Sequence, residues 1–505
     1  MTSTATAAWA GDRLATRDPG TLLGPWRMPN VKPGDEGVMP EAENTDIPGG
    51  GDWRIDNTVT RASSDSSLHI TGYASATSVN LGEAIDFHVS VRKPGPFWIE
   101  IYRMGFYGGQ GARRLKVSPK LNGLTQFMPK KAEALGTIAC DWPSVWQLPI
   151  PANWVSGYYL AAFTTSDGYR SYAPFVVRDD HREADLCVVV PFTTYQAYNL
   201  WPKNGTGKSL YYGYKMTVPT PSQPALRTLD YGRRAFEVSF DRPYANHGLP
   251  GNWDLDVAFL TWAEQVGYTM VFAGSHDLHE GRIDPQRYKG LVFPGHDEYW
   301  SPEMRDHATA AIAAGTSLVF LSANNVYWRV RMPSSADGRS RLMTCYKGEA
   351  ADPVPRQERT GLWREPTGPN APEQHLLGIQ FNGILHQPVP LVVREQDHWF
   401  WQGTGVRSGD QIPGLVGVEA DGVYADIPCQ TPGNQVLLSA SPYVNRAGVA
   451  RAQNTSLIDC DSGAILFAAG SLIWPRSLMP GGDPRIQTAT ANLLDRVVGR
   501  TRALP

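Results

Sequence analysis

The stretch that decides the fold reads Lys289-Gly290-Leu291-Val292-Phe293-Pro294-Gly295-His296-Asp297-Glu298-Tyr299-Trp300-Ser301-Pro302. Leu291 to Phe293 form a short apolar run that is typical of a buried strand. Pro294-Gly295 would end that strand. Three side chains capable of acid, base or ligand chemistry follow at once: His296, Asp297 and Glu298. Reactive groups therefore stand where a central parallel strand would leave its sheet.

A helix is predicted directly after this polar tip. Ser301 is a good N-cap and Pro302 a good first helical residue, so we predict a helix through Met304 to Ala314. Strand, polar tip and helix in this order are typical of open α/β sheets. Such sheets bind ligands in the crevice beyond the carboxyl ends of their strands.

Length and composition narrow the class of protein. A chain of 505 residues exceeds what one hydrophobic core usually serves, so two or three domains are expected. An apolar content of 42% with 19% charged residues is ordinary for a folded globular protein and excludes global disorder. The formal net charge of −3 comes without a basic stripe, which argues against a nucleic-acid partner.

The cellular compartment is predicted from the absence of signal-peptide and membrane-spanning patterns in this sequence and from the spacing of its cysteines. Residues 1–20 contain no continuous apolar segment of signal-peptide length, and no later stretch approaches the roughly 20 apolar residues of a spanning helix. The interpretation is a cytoplasmic protein without a membrane partner. The cysteines are widely spaced, without a C-x-x-C pair, and indicate neither a disulfide framework nor a thiolate zinc site.

The chain divides into regions of different periodicity. Residues 1–55 are rich in Gly, Pro and Asp and are predicted to be an extended N-terminal arm. Residues 56–179 show short alternating strands, for example Ala84 to Val91, which favour an immunoglobulin-like β-sandwich. Such a domain is more often a scaffold than a catalyst.

The second half has a βαβ pattern with an interruption. Residues 180–350 alternate apolar strands with helical segments, which predicts a doubly wound parallel α/β domain of the amidotransferase or flavodoxin-like type. Residues 351–457 lose the helical signal and are predicted to be a β-rich insertion. Residues 458–505 supply a last strand and helix of the same sheet. The predicted fold class is therefore α/β plus all-β.

Every predicted parallel strand ends in polar or aromatic residues, and the carboxyl ends of such strands share one edge of the sheet. The five tips are Thr193 to Asn199, Ser275 to His279, His296 to Tyr299, Ser322 to Trp328 and Ser471 to Trp474. A shared site at this edge is the preferred interpretation over a merely solvated edge.

Three other kinds of site are disfavoured. No G-x-S-x-G or similar nucleophile motif lies at a strand-to-helix turn. The run Asn204 to Ser209 mimics part of a phosphate-binding loop, but lacks the required first glycine and a leading strand. His276 and His279 are predicted to lie in a surface turn rather than to bind a metal ion together.

Tyrosines beside acids form the remaining pool of reactive groups: Tyr195, Tyr198, Tyr211, Tyr212, Tyr214 and Tyr244 with Asp297 and Glu298. Tyrosine binds a metal as phenolate, and its pKa near 10 requires a strongly polarising cation for deprotonation. Phenolate and carboxylate are hard donors that suit ferric iron better than zinc. Aromatic clusters are, however, usually a matter of packing.

At these residues the chain resembles the large (β) subunit of N,N-dimethylformamidase and its homologues. The resemblance runs from about residue 60 to the end. Its motifs are Ile70 to Ala74, Ile101 to Gly109, Thr193 to Asn199, Gly295 to Ser301, Asn324 to Arg329 and Thr344 to Lys347.

The resemblance implies a mononuclear ferric (Fe3+) site held by two tyrosines and one glutamate. The glutamate carries over to Glu298. Tyr195, preferred over Tyr198, is assigned as the first tyrosine and Tyr211 as the second, although the shorter linker here leaves the second assignment open.

The resemblance also implies the catalytic groups and the reaction. His296 is the acid/base candidate, Asn324 a substrate-orienting group, and Lys347, which matches a family motif, a further catalytic candidate. The implied activity is hydrolysis of the C–N bond of a small formamide or amide, with iron as Lewis acid. An iron-dependent oxidase or oxygenase with the same site, and a non-catalytic binding protein, remain alternatives.

Partners are implied in the same way. The formamidase works with a separately encoded small subunit, so such a subunit is a candidate partner here beside the small-molecule amide substrate. We also expect a homo-oligomer, with the arm and the sandwich as contact surfaces.

Overall fold

The structure is a computed structural model that describes residues 52–129, 134–216, 227–334, 340–348 and 351–501. The predicted arm, residues 1–55, lies almost entirely outside the described residues. The chain is a mixed α/β protein with several sheets, in which strand residues (35%) outnumber helical residues (18%). Within the described ranges, no helix is both long and apolar enough to cross a membrane.

Within the described residues, the first region contains ten strands. They are β1 Arg61–Ala62, β2 Ile70–Ala74, β3 Ser78–Asn80, β4 Ala84–Val91, β5 Gly95–Met104, β6 Ala112–Val117, β7 Leu121–Gly123, β8 Ser144–Pro149, β9 Gly157–Thr165 and β10 Tyr169–Arg178. One sheet has the order β1-β10-β9-β5-β6, with β3 beside β10 and β7 beside β5, and a second sheet has the order β2-β4-β8.

Strand β9 serves two cores because its side chains alternate between the two faces of its sheet. Tyr159 and Phe163 join the cluster that also holds residues of β2 and β4. Tyr158 and Leu160, on the other face, join the largest cluster, which includes strands and helices of the second region. The two regions thus share one continuous hydrophobic core.

In the part of the second region that the structure describes, nineteen further strands follow. They are β11 Ala184–Val190, β12 Gly213–Met216, β13 Arg227–Asp230, β14 Glu237–Ser239, β15 Met270–Gly274, β16 Tyr288–Phe293, β17 Tyr299–Trp300, β18 Ser317–Phe320, β19 Trp328–Arg329, β20 Leu342–Thr344, β21 Gln380–Ile384, β22 Val389–Val392, β23 Gln411–Val416, β24 Glu419–Gly422, β25 Gly433–Leu437, β26 Ser441–Val444, β27 Ala450–Gln453, β28 Ser456–Cys460 and β29 Ile465–Ala468. The helices are α1 Phe192–Tyr198, α2 Trp253–Val266, α3 Ser275–His279, α4 Pro302–Ala313, α5 Glu373–Leu377 and α6 Pro484–Val498.

The central sheet has the order β15-β11-β16-β18-β29-β28-β25. Its first five strands are parallel to their neighbours, and β28 and β25 are antiparallel additions. Counted along the chain, the parallel strands stand in the order 2-1-3-4-5. Strand β25, which lies in the predicted insertion, therefore belongs to this sheet.

The apolar run in β11 follows from its place in the middle of the sheet. Leu186, Val188 and Val190 pack into the cluster that contains residues of α2 and α6. Cys187 and Val189 pack on the opposite face, with residues of α3 and α4. A strand covered on both faces needs apolar residues at every position rather than at alternate ones.

The predicted start of the helix after the polar tip is confirmed. The Ser301 hydroxyl accepts a hydrogen bond from the Met304 amide at 3.2 Å, and Pro302 is the first residue of α4. The cap satisfies one of the amides that a helix start leaves free.

Buried ion pairs join the two regions. Arg103 Nη2 lies 2.8 Å from Glu264 Oε1 of α2, and Arg178 Nη1 lies 3.1 Å from Asp277 Oδ1 of α3. The proposed boundaries at residues 179/180, 350/351 and 457/458 stay predictions.

Candidate active site

Three of the five predicted strand tips meet at the carboxyl edge of the parallel sheet. Helix α1, after β11, ends in Tyr198, the turn after β16 carries His296 and Glu298, and Asn324 follows β18. The sheet order, with β11, β16 and β18 as neighbours, brings these tips side by side.

Glu298 is the centre of the cluster and is 1% exposed. Its Oε2 accepts a hydrogen bond from the Tyr198 hydroxyl at 2.7 Å, and its Oε1 accepts one from the Tyr211 hydroxyl at 2.6 Å. Asn324 Nδ2 adds a third contact to Oε1 at 3.2 Å. Both carboxylate oxygens are thus held by phenol groups from different segments.

The two phenols also contact each other. Their oxygens are 3.1 Å apart and their rings stack with centroids 4.5 Å apart. Burial, followed by the charge of Glu298, raises the pKa of both Tyr198 and Tyr211 well above the ordinary value. Trp328 Nε1 donates to the Tyr211 oxygen at 3.1 Å. The Tyr198 side chain is 39% exposed, so the cluster lies close to solvent.

His296 has a fixed orientation. Its Nδ1 lies 3.1 Å from the Ala323 carbonyl oxygen, which makes Nδ1 the donor and turns Nε2 towards two carboxylates. Nε2 is 3.3 Å from Glu298 Oε2 and 3.6 Å from Glu419 Oε2. Burial alone would lower the pKa of His296, but these carboxylates outweigh burial and raise the pKa to about 9.

Glu419 is a member of the cluster that sequence reasoning missed. It begins β24 in the predicted insertion, and its neighbour Ala420 bridges to Ser471 just past β29. Asn324 Nδ2 lies 3.0 Å from Glu419 Oε2, so the Asn324 amide links the two glutamates. No local pattern around Glu419 signals this contact, because it depends on how the insertion folds back.

Lys347 lies against the aromatic wall of the site. Its Nζ donates to the Tyr299 hydroxyl at 2.5 Å and is 3.9 Å from the Tyr211 ring centroid and 3.7 Å from that of Trp328. Burial lowers the pKa of Lys347 to about 7. The side chain places a titratable amine behind Tyr211.

Tyr195, assigned above as the first tyrosine of the site, does not reach Glu298. Its hydroxyl donates at 2.5 Å to Oδ2 of Asp256 in α2. The reason is the helical path of α1: Tyr198, the last residue of the helix, reaches Glu298, whereas Tyr195 packs into the core. The structure thus brings Tyr198 rather than Tyr195 to Glu298, and the choice of the ligand tyrosine stays a prediction.

The remaining two tips make other contacts. His276 is buried and contacts Thr77 Oγ1 at 3.1 Å, and His279 contacts Ser301 Oγ at 2.8 Å. They lie in the short helix α3 rather than in a surface turn. Ser471, at the last tip, donates to the Leu415 carbonyl oxygen at 2.7 Å.

Unusual backbone conformations cluster around the site. Asn324, Val326, Lys347 and Val418, the residue before Glu419, all have left-handed φ values of 55° to 63°. For the β-branched valines this conformation costs on the order of 1–3 kcal/mol each. The surrounding structure imposes these conformations, as is common where side chains must be aimed at a site.

The donors suited to a metal are the two phenol oxygens and the Glu298 carboxylate. Among the described residues, no group of three or more His, Cys, Asp or Glu side chains could hold a metal ion. A set of Tyr198, Tyr211 and Glu298 is of a different kind, composed of hard oxygen donors.

Fold and site together define an α/β protein with an oxygen-rich, buried polar site at the carboxyl edge of its parallel sheet. The chain belongs to the family described as N,N-dimethylformamidase beta subunit-like, C-terminal, whose model matches residues 98–488.

Two relatives support this membership at low identity. The N,N-dimethylformamidase beta subunit of Paracoccus aminophilus is 26% identical over 216 residues, covering 38% of this chain and 28% of that protein. The beta subunit of the same name from Alcaligenes sp. is 23% identical over 427 residues, covering 71% of this chain and 54% of that protein. The chain thus spans about half, or less, of the length of the curated relatives it matches.

Similarity to solved structures is slight. The AlkC alkylpurine DNA glycosylase of Pseudomonas fluorescens matches with a TM-score of 0.15 and 17% identity, over 22% of this chain and 30% of that chain.

Proposed function

We propose that this protein is a hydrolase that splits the C–N bond of a small linear amide, such as a formamide. The observation that supports the proposal is the convergence of Tyr198 and Tyr211 on the two oxygens of Glu298. The names of the family and of both relatives supply the reaction class.

Ferric iron is the proposed cofactor, with Tyr198, Tyr211 and Glu298 as its ligands. The donor set fits a hard, highly charged cation. The raised pKa values of the two tyrosines mean that only a strongly polarising ion would replace their protons. When bound, ferric iron supplies a Lewis acid that polarises the amide carbonyl.

The chain's own residues would handle the protons. Glu419, which Asn324 orients, is placed to accept a proton from the attacking water. His296 Nε2 would deliver a proton to the departing amine, because Nδ1 is hydrogen-bonded to the Ala323 carbonyl. The role of Asn324 as a substrate-orienting group and that of Lys347 as a catalytic group stay predictions.

The finer fold assignment is also proposed. The strand order 2-1-3-4-5 is that of flavodoxin-like doubly wound sheets. The two sheets of the first region, packed around a common apolar cluster, support an immunoglobulin-like sandwich.

A partner subunit is proposed from the names of the relatives, which are called beta subunits. A homo-oligomer is proposed as before. Light scattering of the purified chain, alone and with a co-expressed neighbouring subunit, would measure both.

The function is tested by metal analysis and a visible spectrum of the purified protein. We expect near-stoichiometric iron with a phenolate-to-iron charge-transfer band, and release of amine and carboxylate from a small amide without consumption of dioxygen. Glu298→Gln should lose iron, band and turnover. Asp256→Asn, at another buried carboxylate that accepts from a tyrosine, is the matched control and should keep all three.

Folded wild-type protein without iron, and without response to added iron, would refute the metal assignment. A product that forms only with dioxygen would instead support the oxidase alternative.

A further inference from the structure

Arg242 carries a buried charge without a carboxylate partner in the described part of the chain. Its side chain is 1% exposed. Burial lowers the pKa of Arg242 to about 10, so the guanidinium is still charged at neutral pH. An unpaired buried charge costs stability, and its presence calls for a reason.

The hydrogen bonds of Arg242 join two segments of the site. Nη2 donates to the Asn199 carbonyl oxygen at 3.0 Å, and Nη1 donates to the Lys208 carbonyl oxygen at 2.9 Å. Asn199 directly follows Tyr198, and Lys208 lies three residues before Tyr211. One planar group therefore links the backbone next to both tyrosines.

The segment around Arg242 fixes Asn199 by its side chain as well. Asn199 Nδ2 donates to the Pro243 carbonyl oxygen at 2.9 Å, and the Ala245 amide donates to Asn199 Oδ1 at 3.0 Å. The Leu210 amide closes the turn by donating to the Ala197 carbonyl oxygen at 2.9 Å. The end of α1 and the Tyr211 turn are thus held against a common support.

We propose that Arg242 is a positioning residue that sets the separation of the Tyr198 and Tyr211 oxygens, 3.1 Å in the structure. This inference rests on the proposed function, in which those oxygens bind iron. Only the rigid fork of arginine reaches both carbonyls, because lysine presents its donors from a single nitrogen. Groups that orient metal ligands typically change metal affinity by about 10–100-fold when they are replaced.

The test compares Arg242→Lys with Arg103→Lys. Arg103 is equally buried, at 2% exposure, and is also tied to a backbone carbonyl, that of Ser156, at 3.1 Å. It pairs with Glu264 of α2 and donates to Met104 and Tyr107 of the first region. The measurements are the iron dissociation constant, the charge-transfer band and the melting temperature of each purified variant.

We expect Arg242→Lys to weaken iron binding by about tenfold or more and to displace the band. Arg103→Lys should lower the melting temperature at unchanged iron affinity. If Arg242→Lys does not fold, Asn199→Ala is measured instead with the same readouts. This variant loosens the same segment and leaves the guanidinium in place.

The inference would be overturned if Arg242→Lys bound iron with wild-type affinity and kept an unshifted band. The same result in Asn199→Ala would overturn it if Arg242→Lys does not fold. Either result would leave the proposed function standing. Wild-type protein that binds no iron would overturn the proposed function itself.

Discussion

Two buried carboxylates beside helix α1 accept hydrogen bonds from tyrosines, and the comparison between them shows what distinguishes a site from a core contact. Glu298 accepts hydrogen bonds from two phenol groups and one side-chain amide, and it also contacts His296. Asp256 receives the Tyr195 hydroxyl alone on Oδ2, and its Oδ1 has no hydrogen-bond partner in the described structure. Both carboxylates have a tyrosine beside them, so the number of hydrogen-bond donors that converge on Glu298 is what distinguishes the site from the core contact at Asp256.

The two carboxyl groups also differ in charge. Burial raises the pKa of Asp256 to about 8, so its acid form dominates at neutral pH. Burial acts on Glu298 too, but the hydrogen bond and charge of His296 outweigh it and lower the pKa of Glu298. The charge of Lys347 and the hydrogen bond from Tyr211 lower the pKa of Glu298 in the same direction, so Glu298 does not depend on His296 alone for its charge.

Replacing each of the two tyrosines by phenylalanine, in separate variants, tests the comparison and has the largest expected effect. Tyr198→Phe removes a proposed ligand and should abolish the charge-transfer band and most of the bound iron. Tyr195→Phe should keep both and lose about 1–3 kcal/mol of stability, because Asp256 then has no donor. Iron analysis, visible spectra and urea unfolding of both variants measure these outcomes.

The opposite pattern, with iron lost in Tyr195→Phe and kept in Tyr198→Phe, would restore the original assignment of Tyr195 and refute the one made here.

His296→Ala tests the role of the residue that separates the two acids. The variant should keep iron, because its ligands remain, and lose about 10²- to 10⁴-fold in turnover as the proton donor is removed. Iron content and steady-state rates on one amide substrate check this prediction. Unchanged turnover in an iron-loaded variant would exclude His296 from the proton transfer.

Asp256→Asn has the smallest expected effect on the site, since iron and turnover should be kept, and it changes only how stability depends on pH. The pKa of Asp256 is about 8 in the folded protein against an ordinary 3.8. Between these values the unfolded chain releases its proton while the folded protein keeps it, so the free energy of unfolding falls as pH rises from about 4 to about 8.

In Asp256→Asn the free energy of unfolding should fall less steeply with pH. The variant should therefore be more stable than wild type at pH 8 and about as stable at pH 4. Denaturant unfolding at both pH values measures the difference. Some slope should persist, because burial also raises the pKa of Asp297 and Asp421 to about 7. Equal slopes in the two proteins would show that Asp256 is ionised in the fold.

Much of the parallel sheet could be predicted from the sequence. Runs such as that of β11 are apolar at every position because both faces are covered, and Ser301-Pro302 marks the start of α4 by local capping chemistry. These signals lie within a few residues of the elements they specify. The β25 strand of the central sheet was assigned to an insertion, because pairing with β28 is a long-range event without a local signal.

The site was predictable only in part for the same reason. The tip around His296 and Glu298 follows from its strand, but the choice between Tyr195 and Tyr198 depends on the path of a seven-residue helix. Glu419 and Arg242 reach the site region by contacts across more than 30 residues of chain. Periodicity and motif spacing carry no information on such contacts.

The core that one face of β9 shares with the second region has a consequence for motion. A hinge movement between the two regions would have to pull Tyr158 and Leu160 out of a packed interior, and close-packed interiors resist such separation. We therefore expect the two regions to move as one body rather than by the hinge motion of two-domain binding proteins. Under the proposed function, substrate would enter and product would leave at the rim of the sheet edge, where Tyr198 is 39% and Val418 40% exposed.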